Sequence, residues 1–146
     1  MTLKLPRGVL QQIWDDGQAH YPLESAGLIL GQLDGESRHG SAVLPLPNSF
    51  EVTARGRRYR LAAEDMLHAE AEADRLGLDV LGVFHSHPDH PPRPSEFDRD
   101  WALPFYSYVI TSVEGGRAVE SRAWRLTDDR AAMLEEALEI SPEEAS

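Results

Sequence analysis

Four residues at fixed spacing carry the chemistry of this chain: His85, His87, Ser95 and Asp98. They lie in LGVFHSHPDHPPRPSEFD, residues 81–98, which begins apolar and ends polar. On a strand, side chains two apart share a face, so His85 and His87 project together and Ser86 points away. Two imidazoles so placed at a rigid strand end form half of a tetrahedral metal site. A catalytic zinc takes three protein ligands and keeps one open position. Imidazole and carboxylate both suit that ion. The residues alone leave the third ligand open among Asp89, His90, Glu96, Asp98 and Asp100. His90 would complete a three-histidine set, and Asp98, one helical turn past Ser95, a His-His-Asp set. Prolines 88, 91, 92 and 94 stiffen the connection and lower the entropy cost of returning Asp98 to the histidines.

Such a site needs a sheet beneath it. Residues 79–87 read as a strand, apolar through Phe84. Before them, 63–76 predicts a helix rich in Ala, Glu, Met and Leu, with Gly77 as its C-cap. After them, Ser95 is a usable N-cap for a short helix whose first turn holds Glu96 and Asp98. Residues 6–19 predict a first helix, with Val9, Leu10, Ile13 and Trp14 at helical spacing. The apolar part of 24–31 and then 38–46 predict a hairpin about Asp34-Gly35, and 106–113 with 117–126 a second about Gly115-Gly116. A final helix is expected over 128–139. The order is α-β-β-α-β-α-β-β-α, an α/β chain with a mixed sheet and helices packed on it. One domain over 1–140 and a frayed acidic tail over 141–146 account for the length.

Composition narrows the function. The chain has 146 residues and no cysteine, which excludes disulfides, thiolate nucleophiles and Cys-ligated zinc. The formal net charge of −11 argues against nucleic acid as a partner. Much of it is local: seven acids stand against Arg130 alone over 128–146, which reads as a solvated helix face and tail. No apolar run approaches a membrane span, and the N-terminus lacks a signal peptide's long apolar region, so a cytoplasmic location is expected.

With these residues in place, the chain resembles a known family. His85-Ser86-His87, seven residues, Ser95, two residues, Asp98 is similar to the H-[ST]-H-x7-S-x2-D signature of the JAMM (MPN-plus) metalloproteases. Gly82-Val83-Phe84, Pro88, Pro94, the block Pro22-Leu23-Glu24-Ser25-Ala26-Gly27, Asn48-Ser49 and Gly77-Leu78 extend the likeness over about residues 6–126. The resemblance implies a three-layer α/β/α, cytidine-deaminase-like fold. It implies one zinc per chain on His85, His87 and Asp98, with a water in the fourth position. Glu24 resembles the general base and Ser95 the donor to the oxyanion. The implied activity is a peptidase or isopeptidase cutting the amide at the Gly-Gly-type tail of a ubiquitin-like or sulfur-carrier protein, with a homodimer as an admissible assembly. Ala26 stands where relatives often have Cys, and no insertion for ubiquitin-chain selection is evident. A non-catalytic scaffold of the same fold and a peptidase of cell-wall peptides are the alternative functions.

The remaining candidates carry less. His20, His39 and His68 lack partner spacing and read as surface or helix-face residues. His90 reads as a loop residue or a substrate contact. Trp14, Trp101 and Trp124 read as core. Arg55, Arg57, Arg58 and Arg60 surround Tyr59 and form a candidate contact for acidic groups or an extended substrate tail.

Overall fold

A computed structural model describes residues 2–48 and 59–143. Arg55, Arg57 and Arg58 lie outside the described residues. Ten elements follow in order: β1 (Thr2–Pro6), α1 (Arg7–His20), β2 (Ala26–Asp34), β3 (Ser37–Leu46), α2 (Ala63–Leu76), β4 (Asp79–Pro88), α3 (Glu96–Trp101), β5 (Ser107–Glu114), β6 (Arg117–Leu126) and β7 (Met133–Ser141). The strands run β1-β3-β2-β4-β5-β6-β7, and β7 pairs with β1 to close the sheet into a barrel. The sheet is mixed, with parallel pairs at β1–β3, β1–β7 and β4–β5. The β4–β5 pair needs a long crossover, and the chain from 89 to 106, including α3, supplies it.

The interior follows from alternation along the central strands. Leu28, Leu30 and Val83 face one way and pack with Ala69 and Ala73 of α2. Ile29, Phe84 and Val109 face the other way and pack with Val9 and Ile13 of α1, under Leu3 and Leu5 of β1. Each side chain of this size, fully buried, stabilises the fold by about 1.5–3 kcal/mol. Gly77 caps α2 at φ 70°, and the amides of Gly77 and Leu78 bond back to Asp74 and Ala73. Gly82 is required by close approach: a Cβ there would lie 2.0 Å from the Ser107 carbonyl oxygen across the β4–β5 pair. No helix among the described residues is long and apolar enough to cross a membrane.

Two expectations are corrected at the chain's ends. The helix expected over 128–139 is instead β7, paired antiparallel with β6 and parallel with β1. Met, Leu, Glu and Ala favour helix locally, but pairing with two neighbouring strands overrides that preference. Glu136, buried in β7, is accommodated because Ser107 Oγ donates to its Oε1 at 2.7 Å. The second correction is β1, whose short alternation places Leu3 and Leu5 in the interior. Together these strands replace an open sheet by a closed one.

Candidate metal centre

The site sits at the C-terminal end of β4. From Val83 onward β4 alternates: Val83, His85 and His87 share the face that packs toward α2, and Phe84 and Ser86 share the face toward α1. β2 runs antiparallel alongside, pairing Ala26 with His85. The chain immediately before β2 therefore brings Glu24 to the histidines, although 61 positions separate it from His85.

Four side chains converge there, all buried. His85 Nδ1 is 3.4 Å from Glu24 Oε1, and His85 Nε2 is 3.6 Å from Asp98 Oδ1. His87 Nε2 is 3.0 Å from Asp98 Oδ2. Ligand atoms of Glu24, His85 and His87 lie within 4.8 Å of one another. Of the open choices for the third ligand, Asp98 is thus the one beside both imidazoles. Asp89 turns away, accepting from the Tyr21 hydroxyl at 2.6 Å and the Gly115 amide at 2.8 Å. Glu96 and Asp100 are exposed, and His90 lies at the mouth.

Asp98 is held firmly. Ser95 caps α3: its Oγ accepts from the Asp98 amide at 3.1 Å, and Asp98 Oδ2 accepts from the Ser95 amide at 2.9 Å. The expected N-cap is thus in place, and it orients both Ser95 and Asp98. Burial alone would raise the Asp98 carboxyl, but facing His85 and bonding to His87 and the Ser95 amide hold it well below the ordinary carboxylate range. Burial likewise opposes charge on His87, but the hydrogen bond to Asp98, its negative charge, the Pro91 carbonyl and Glu24 together outweigh it and push the imidazole up.

The donor set fits a metal ion. His87 Nδ1 lies 2.9 Å from the Pro91 carbonyl, which fixes the ring proton on Nδ1 in the neutral form and turns the Nε2 lone pair to the site. A lone pair 3.0 Å from a carboxylate oxygen is repulsive unless a proton or cation lies between them. Glu24 Oε1 and both ring nitrogens of His85 are buried without a hydrogen-bond partner. Buried polar atoms are almost always bonded, and Glu24 Oε1 beside one ring nitrogen each of His85 and His87 matches the chemistry of a divalent cation.

Two residues of the surroundings carry no sequence signal that isolates them. Tyr59 stacks on His85, with ring centroids 4.3 Å apart and planes 24° off parallel. Ser25 pairs with Ser86: the Ser25 amide donates to Ser86 Oγ at 2.8 Å, and the two hydroxyls are 3.2 Å apart. Asn48, noted only within a resemblance, donates from Nδ2 to the Glu24 carbonyl at 3.2 Å and accepts from the Arg60 amide at 3.0 Å. Trp101, expected in the core, is 62% exposed. It borders an apolar groove of about 430 Å³ beside His85, lined also by Tyr59, Leu61, Met66, Phe97 and Tyr106. A second pocket of about 320 Å³ opens on the other side, lined by Glu24, His87, His90, Pro91, Arg93 and Ser95.

Comparison with known proteins agrees with this geometry. The family model described as prokaryotic homologs of the JAB domain matches residues 6–127. A Thermus thermophilus protein named "Probable TtuB-protein conjugate cleaving protease" is 33% identical over 123 residues, 81% of this chain and 75% of that one. A desampylase of Haloferax volcanii is 35% identical over 96 residues, 64% of this chain and 66% of its own. The solution structure of a Desulfitobacterium hafniense protein superposes with a TM-score of 0.85 at 28% identity, covering 97% of this chain and 94% of the other. The chain belongs to the prokaryotic JAB-domain family. It is a hydrolase of the protease class.

Proposed function

We propose that the protein is a zinc-dependent isopeptidase that hydrolyses the amide at the C-terminal tail of a ubiquitin-like or sulfur-carrier protein. The observation that carries this reading is the convergence of His85, His87, Asp98 and Glu24, with three buried polar atoms unpartnered. The names of the relatives, a conjugate-cleaving protease and a desampylase, support the substrate class.

The two carboxylates divide by their surroundings. Asp98 is fixed by the α3 cap and bonded to the Ser95 amide, as a permanent ligand beside His85 and His87 should be. Glu24 Oε1 has no hydrogen bond, as a proton carrier should have before reaction. Zinc on His85, His87 and Asp98 would supply Lewis acidity, bringing the pKa of a water to about 7. Glu24 takes a proton from the attacking water and delivers it to the departing nitrogen. The water oxygen bonds to the carbonyl carbon, the C–N bond breaks, the second water proton also ends on the nitrogen, and a carboxylate and an ammonium leave. Ser95 Oγ already accepts from the Asp98 amide, so its own O–H is available to the oxyanion. The apolar groove beside Tyr59 takes the acyl side, where an extended tail lies along the sheet.

The test combines metal content with turnover. The purified protein should hold one zinc per chain and cleave a ubiquitin-like protein joined to lysine. Glu24→Gln should keep the zinc and lower kcat by about 10²–10⁴. Retained turnover in that variant, or substoichiometric zinc with no response to added zinc, would overturn the reading.

A further inference from the structure

We infer that the smaller pocket selects leaving amines that carry a carboxylate near the nitrogen, with His90 and Arg93 as the recognising side chains. This rests on the assignment of Glu24 as the proton carrier. Glu24 lines the smaller pocket, and the apolar groove does not include it. The departing nitrogen collects its proton from Glu24, so the amine half of the substrate lies on the Glu24 side and the acyl half beside Tyr59.

The lining of that pocket gives the chemistry. His90 and Arg93 are its two residues with nitrogen donors besides the metal-facing His87. Both are exposed at the mouth. Among the described residues, the Arg93 guanidinium has no ion pair or side-chain hydrogen bond. Arg75, Arg99 and Arg122 face acids and Arg130 bonds to carbonyls of the α3 region; Arg7 and Arg117 share the unpaired state of Arg93 among the described residues, but neither lines this pocket. The acid next to His90, Asp89, is engaged by Tyr21 and Gly115. In a chain of net charge −11, an arginine without an acid partner beside the reacting bond is a selective device.

The two side chains are mounted on a fixed loop. Ser112 Oγ donates to the His90 carbonyl at 2.7 Å, Trp124 Nε1 to the Pro92 carbonyl at 3.0 Å, and the Arg93 amide to the Pro91 carbonyl at 2.8 Å. The loop backbone is therefore ordered before an anion arrives, and only the two side chains remain to be fixed. A guanidinium and an imidazole lining one pocket match a carboxylate, which takes two parallel hydrogen bonds from arginine. Two sources present that group close to the scissile nitrogen. One is the α-carboxylate of an amino acid joined to the tail, and the other is an acidic side chain flanking a modified lysine.

The experiment holds the acyl half constant and varies the amine. One ubiquitin-like protein is joined to glutamate, to glutamine amide, and to the lysine of two peptides, one flanked by aspartate and one by asparagine. Wild-type kcat/KM should favour the carboxylate member of at least one pair by about tenfold or more, and the favoured pair names the source. In Arg93→Ala the ratio should collapse toward one, and in Arg93→Glu it should invert, with thermal melts confirming the fold. Equal rates within both pairs, or a ratio unmoved by Arg93→Ala, would overturn this inference while cleavage itself leaves the isopeptidase reading standing. No cleavage of any member by the zinc-loaded protein would overturn both.

Discussion

The two faces of β4 do opposite work on one backbone. On the α2 face, His85 and Glu24 hold three buried polar atoms without hydrogen bonds among the described residues, and His87 Nε2 faces Asp98 Oδ2 at 3.0 Å. On the α1 face, Ser86 is satisfied by the Ser25 amide and hydroxyl, and Phe84 is fully buried among Val9, Ile13 and Ile29. On the proposed reading the unsatisfied face binds and reacts, and the satisfied face holds those groups in register. Because Ser86 grips Ser25, the residue after Glu24, the satisfied face also sets the position of Glu24.

Substitutions on each face test this division. The largest effect is expected for His85→Ala, which should release the metal and lower turnover on the order of a thousandfold. Zinc retained at full occupancy in that variant would break the comparison. Ser95→Ala removes the donor to the oxyanion and should cost about 10²–10³ in kcat with little change in KM. A change confined to KM would move Ser95 from transition-state contact to simple binding. Ser86→Ala should keep zinc bound, lower stability by about 1–3 kcal/mol for the buried amide left unpaired, and lower kcat on the order of tenfold as the Glu24 loop loosens. Unchanged kcat with lowered stability would separate the two faces and make Ser86 purely structural. Smallest should be Phe84→Leu, costing about 1 kcal/mol in a denaturant titration and sparing kcat.

Legibility in the sequence followed distance along the chain. His85, His87, Ser95 and Asp98 lie within fourteen positions. Strand period and one helix cap therefore predict their grouping, and the capping box between Ser95 and Asp98 is present. The selection of Asp98 over its neighbours, and of Glu24, came only through resemblance, because both depend on how loops return to the sheet. Tyr59 reaches His85 through tertiary packing that no spacing records. Residues 128–139 read as helix because their side chains favour it, whereas the backbone from Met133 pairs with β6 on one side and β1 on the other. Trp101 read as core by its type, but α3 is short and presents it at the rim of the groove.

The β1–β7 pairing also imposes a schedule on synthesis. Thr2 lies beside Ala137 and Pro6 beside Ser141, so β1 is translated long before the strand it pairs with and waits for it. Until β7 emerges, a nascent chain displays an unpaired strand edge next to Leu3 and Leu5, a species that chaperones recognise and that aggregates when left alone. Pairing so distant in sequence also forms slowly. The elements that carry His85, His87, Asp98 and Glu24, all made earlier, therefore mature inside a barrel that is sealed last.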